Sequence, residues 1–117
     1  MASDRASEVK AFLEEFNVKL TTFNIFFVNR KKNEEALLQL EITAAQRLEI
    51  IKSISVPDYS RGPDKDAYDP ESPPNWVFGK MVKGKEVYIK INRGKPNKRV
   101  MCISFHIAED KMIYPLR

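Results

Sequence analysis

Cysteine and histidine are all but missing from this chain of 117 residues, which holds one of each, Cys102 and His106. A single cysteine closes no internal disulfide, so a reducing setting, the cytoplasm, is expected. One histidine and one cysteine leave no cluster for zinc, and no metal cofactor is expected. Long apolar runs are lacking too. The run from Ile25 to Val28 holds four residues, against the roughly 20 that a helix needs to span a bilayer. The opening, Met1-Ala2-Ser3-Asp4-Arg5, lacks the charged-then-apolar order of a secretory signal. With only four glycines there is no glycine-rich phosphate loop, and neither an internal repeat nor a coiled-coil heptad appears.

What is present suits a single domain over residues 1–117, large enough to bury a core without staples. The formal net charge is a modest +4, but it is unevenly placed. Residues 1–78 carry ten Lys and Arg against thirteen Asp and Glu, whereas residues 79–117 carry ten against three. A cationic excess confined to one part of a chain is the usual footprint of a polyanionic partner.

The chain reads as helices first and strands last. Over residues 4–20, Val9, Phe12, Leu13, Phe16 and Leu20 recur at helical spacing, with Asp4 or Ser7 as cap. Residues 23–28 favour a strand that stops at the cations Arg30, Lys31 and Lys32. A short helix follows over Asn33 to Leu40, packed by Leu37, Leu38 and Leu40. Thr43 and Gln46 form a capping box for a third helix bearing Leu48, Ile50, Ile51 and Ile54, which Val56-Pro57 ends. Tyr59 to Asn75, rich in Pro and Asp, reads as a long loop, and its acidic part is expected to fold across the basic sheet face.

From Trp76 to Ile107 the period is two, which predicts three successive strands. On the middle strand Val87, Ile89 and Ile91 face one way, and Glu86, Tyr88 and Lys90 the other. On the last, Met101, Ile103, Phe105 and Ile107 make the apolar set, leaving Cys102, Ser104 and His106 opposite. The first strand is expected to send Val77 and Met81 to the core and Trp76, Phe78 and Lys80 outward. A final short strand is expected at Met112 to Tyr114, kept at an edge by Pro115. The fold class is therefore α+β, an antiparallel meander with helices on one face.

Trp76, the run from Gly84 to Ile91, and the run from Val100 to His106 together resemble the C-terminal half of the MqsR (motility quorum-sensing regulator) toxins, members of the wider RelE-like fold. The resemblance extends from about Leu38 to Ile107 and includes the junction Pro57-Asp58-Tyr59. It implies a ribonuclease of a type II toxin–antitoxin pair that cuts messenger RNA without metal and is silenced by a cognate antitoxin. Tyr88 falls on the family's catalytic-site tyrosine. His106 stands where the family has a lysine, and Val77 where it has a glutamine. Ser60 replaces a functional lysine, with Arg61 one step later as a substitute.

Those residues suit RNA cleavage by the adjacent 2′-hydroxyl, which needs a base, an acid and cations for the phosphoryl charge. Imidazole, with a reference pKa of about 6.5, serves either proton role. His106 is the expected acid or base, Tyr88 its partner, and Lys90 a source of charge on the same face. Arg61, Lys80 and Arg93 are expected to bind phosphates and Trp76 to stack a base. Lys95, Lys98 and Arg99 extend the basic group. Two other readings use the same basic and aromatic face: a non-catalytic RNA-binding module, and a protein-interaction domain completed by a partner's strand.

Overall fold

In the computed structural model, which describes residues 4–117, the first helix, α1, spans Arg5–Phe23. The reading of the opening residues as lacking a signal pattern falls partly on residues 1–3, outside the described residues. Asp4 caps α1 by accepting the Ala6 N–H, one of the donors that a helix start leaves open. All five residues of the expected stripe, Val9, Phe12, Leu13, Phe16 and Leu20, are buried. Two further helices follow the short strand β1 (Ile25–Phe27): α2 (Lys31–Leu40) and α3 (Ala44–Lys52). The capping box forms, with Thr43 and Gln46 each bonding the other's backbone N–H. On α2 Leu40 is buried and Leu37 packs against the core as expected, but Leu38 does not. Asn33, Ala36 and Leu40 are buried, whereas Leu38 is 83% exposed.

A 3-10 turn at Val56–Asp58 leads into four strands: β2 (Tyr59–Asp64), β3 (Asn75–Val82), β4 (Lys85–Asn92) and β5 (Val100–Ile107). The first part of the expected loop is therefore strand, and only residues 65–74 remain as loop. The sheet order is β1-β5-β4-β3-β2. The meander β3-β4-β5 is antiparallel as expected, but β1 joins β5 in parallel, so the five-stranded sheet is mixed. The helices lie on one side of it. No strand forms at Met112 to Tyr114. That segment is held instead by Glu86, whose carboxylate accepts the Met112 N–H at 3.0 Å and the Tyr114 hydroxyl at 2.7 Å.

The faces of two strands depart from simple alternation. The β3–β4 turn has two residues, Lys83 and Gly84, both with positive φ, the geometry of a tight hairpin. That turn sets Val82 opposite Lys85, and thence Phe78 opposite Ile89 and Trp76 opposite Ile91. Trp76 and Phe78 therefore face the helices, where Trp76 stacks on Phe12 with centroids 4.7 Å apart. The expected outward placement of Trp76 and Phe78 is corrected accordingly. Val77 and Met81 are on the opposite, open face, Met81 largely exposed and Val77 covered.

On β5 the alternation holds from Ile107 to Ser104 and then breaks. Ser104 pairs with Lys90 and Cys102 with the next residue, Ile91, so Ile103 is an extra residue, a β-bulge. Beyond it the faces exchange: Cys102 and Val100 are core residues, and Met101 turns to the open face with Asn92. The bulge's outer side is closed by α2. Buried Asn33 donates to the carbonyls of Val28 and Ile103, and accepts the Phe105 N–H, each at 3.0 Å. Its amide thus stands in for the strand that β1 is too short to supply.

Candidate functional site

The open face of β4 and β5 carries Tyr88, Lys90, Ser104 and His106, since Tyr88 pairs with His106 and Lys90 with Ser104. Cross-strand neighbours on one face meet through their side chains. Here the Tyr88 and His106 rings stack, with centroids 5.2 Å apart and planes 15° from parallel. His106 Nδ1 is 2.9 Å from the Ile107 carbonyl oxygen. A carbonyl only accepts, so Nδ1 carries the proton and Nε2 is the nitrogen left to exchange one.

Arg61 reaches this pair by a second irregularity. Tyr59 pairs with Phe78 on the helix side, yet Arg61, two residues on, pairs with Val77 on the open side. Unbroken alternation would send Tyr59 and Arg61 to the same face, so the β2 bulge turns Arg61 over. Gly62 carries the next register shift, between Arg61 and Asp64: its φ is +120°, and a Cβ there would lie 2.7 Å from the Asn75 carbonyl oxygen. Arg61 Nη2 then donates to the Tyr88 hydroxyl at 3.3 Å, while its Nε donates to Asp64 at 2.7 Å. The Asp64 bond holds the guanidinium in its charged form, raising its pKa further.

These side chains line one cavity of about 610 Å³. Tyr88, His106, Lys90 and Arg61 are brought together there; Trp76, Lys80 and Arg93 are not. Trp76 is in the core. Lys80 is on the helix side of the sheet, where its ammonium donates to buried Asp58 at 3.1 Å. Arg93 lies in the β4–β5 loop, paired with Glu15 of α1. None of these three lines the cavity, so the structure does not bring them to the Tyr88–His106 pair as expected. The acidic loop does not cross this cavity either. Its Asp69, Ser72 and Pro73 line a different one, beside the β4–β5 loop.

Ala108 to Lys111 reads in the sequence as no more than the turn before the expected final strand, yet Glu109, Asp110 and Lys111 also line the cavity. Glu109 pairs with Lys32 of α2, and that cation holds its carboxyl below the usual carboxylate range. The wall they form is anchored by Glu86. The Tyr114 hydroxyl keeps the Glu86 carboxyl below its ordinary pKa, and burial, followed by Glu86, pushes Tyr114 up to about 12. A depressed carboxyl stabilises docking above its unfolded pKa and loses that contribution as pH falls through the folded pKa. The Met112 amide resonance is accordingly expected to titrate with a midpoint below the usual carboxylate range, and to lose that titration in Glu86→Gln. A shift that persists in the variant would assign the anchor elsewhere.

Cys102 is on the core face, and burial pushes its thiol up to about 12, which leaves it a packing residue rather than a nucleophile. Among the described residues no three His, Cys, Asp or Glu side chains gather as a metal ion would need, and no helix is long and apolar enough to cross a membrane. No family model, no curated protein and no solved structure matches the chain.

Proposed function

We propose that this chain is a metal-independent endoribonuclease, an mRNA interferase toxin of a type II toxin–antitoxin pair, acting in the cytoplasm and silenced by a cognate antitoxin. The observation that carries the reading is the single cavity in which His106 stacks on Tyr88, whose hydroxyl meets Arg61, with Lys90 in the same lining. The resemblance to MqsR toxins supports it through Tyr88 and the strands around it.

In this reading His106 Nε2 takes the proton of the 2′-hydroxyl, and the resulting oxygen attacks the adjacent phosphorus. The bond to the 5′-oxygen breaks, and that oxygen leaves with a proton, yielding a 2′,3′-cyclic phosphate and a 5′-hydroxyl. Tyr88, its hydroxyl oriented by Arg61, is placed to donate to the leaving oxygen or to a phosphoryl oxygen. Arg61 and Lys90 bear the negative charge that collects on the phosphoryl group.

The test is to incubate the purified protein with a defined RNA and EDTA, and to resolve fragment ends. Discrete fragments ending in 2′,3′-cyclic phosphate are expected. Intact RNA, with and without ribosomes, would overturn the proposal. A non-catalytic RNA-binding module is the second reading, favoured by the aromatic and cationic groups elsewhere on the open face; it expects strongly salt-dependent binding of RNA that is recovered uncut.

A further inference from the structure

The same open face holds a second cavity, of about 670 Å³, at the β4–β5 loop end of the sheet. Its floor is Phe26 of β1 beside Met101 of β5, a registered pair, and Phe23 stands at its edge. Phe23 and Phe26 are 37% and 39% exposed, unusual for phenylalanine in a chain that buries Phe12, Phe16, Phe78 and Phe105. Over Phe26 lies the Arg99 guanidinium, 4.9 Å from the ring centroid. Lys95 and Lys98 complete the wall, with Asp69 of the 65–74 loop as the one carboxylate among the lining residues.

These three cations stand outside the ion pairs of the molecule. Lys32, Lys80, Arg61 and Arg93 are each paired with a carboxylate, whereas Lys95, Lys98 and Arg99 have no ion-pair partner among the described residues. The loop that carries them is also fixed in place. The Lys19 ammonium donates to the carbonyls of Arg93 and Lys95, and Asn92 accepts the Gly94 N–H while donating to Asn75. Exposed aromatic surface beside unpaired, preorganised cations matches a chain that alternates flat bases with phosphates.

The two cavities are in line. Tyr88 and Asn92 lie four residues apart on β4, opposite His106 and Met101 respectively, which is about 14 Å of strand. The β5 bulge is what turns Met101 to the face that His106 occupies. We infer that the Phe26–Arg99 cavity is a second binding site for single-stranded RNA. It holds nucleotides flanking the cleaved bond, with a base stacked on Phe26 or the Arg99 plane and phosphates on Lys95 and Lys98. The inference rests on the ribonuclease reading for its name of substrate, but not for its test.

That test is fluorescence anisotropy with a labelled 2′-O-methyl RNA, which lacks the attacking hydroxyl and so reports binding whether or not the protein cleaves. Phe26→Ala is expected to weaken binding about 5- to 150-fold, the span of one missing base–aromatic stack. Lys95→Gln with Lys98→Gln, both exposed, is expected to lower the slope of log affinity against log salt by about 1.4, or about 0.7 for each phosphate left without its cation. A packing role would not move that slope. Unchanged affinity and slope in variants that melt like the native protein would overturn the second site, even if cleavage in EDTA holds. Failed cleavage with the binding losses intact would keep the site and remove the nuclease. Binding of an acidic peptide in place of RNA, abolished by the same substitutions, would overturn the RNA assignment.

Discussion

His106→Ala is expected to slow RNA cleavage by about 10²-fold or more, the scale for losing a general acid–base group. The effect should be large because the ring nitrogen that could act is the lone free one. Nδ1 is engaged with the Ile107 carbonyl, which leaves Nε2 as the nitrogen to exchange a proton. Removing the ring also strips Tyr88 of its stacking partner, so the alanine variant conflates two losses. Tyr88→Phe separates them, since it keeps the stack and deletes only the hydroxyl that Arg61 contacts. A comparable loss in Tyr88→Phe would give that hydroxyl a direct part in the reaction. Native cleavage by both variants would remove the proposed site altogether.

Asn33→Leu is expected to cost about 3–5 kcal/mol of stability, although leucine is a good helix former and the position is only 4% exposed. One amide serves three backbone groups, the carbonyls of Val28 and Ile103 and the Phe105 N–H. Leucine would leave all three buried and unpaired, at roughly 1–3 kcal/mol apiece before relaxation. Urea denaturation measures it: the midpoint should fall with little change in slope. Leu38→Ala, five residues along the same helix and exposed, should by contrast stay within about 0.5 kcal/mol. A loss below about 1 kcal/mol for Asn33→Leu would mean that β5 closes its bulge without α2.

The pairing of the site residues on β4 and β5 is legible in the sequence because Tyr88, Lys90, Ser104 and His106 alternate cleanly with Val87, Ile89 and Phe105. So is α1, whose five apolar positions leave one way to pack, and α3, which a capping box announces. The faces of β3 are not, because Trp76, Val77 and Phe78 are apolar in succession, and polarity cannot choose between two covered faces. The choice is nonetheless present in the hairpin: counting back from a two-residue turn places Trp76 and Phe78 opposite Ile91 and Ile89. Asn33 reads in the sequence only as the start of a helix, since its partners Ile103 and Phe105 are 70 and 72 residues away. Contacts of that separation leave no periodic trace. The Glu86 anchor is hidden for the same reason, because Tyr114 resembles a strand residue until its hydroxyl has somewhere to go.

The two bulges also make chain length itself a determinant of the site. A β-strand carries a parity, and each extra residue reverses it. Arg61 reaches the open face after one reversal, between it and Tyr59; Met101 is separated from His106 by another, at Ile103. Deleting one residue at either place would remove that reversal and, in doing so, carry a side chain through the sheet into the core. Such a deletion alters no residue of the cavity by name. It would nevertheless rewrite the surface as thoroughly as exchanging several of them, so spacing at these two points is as constrained as residue identity.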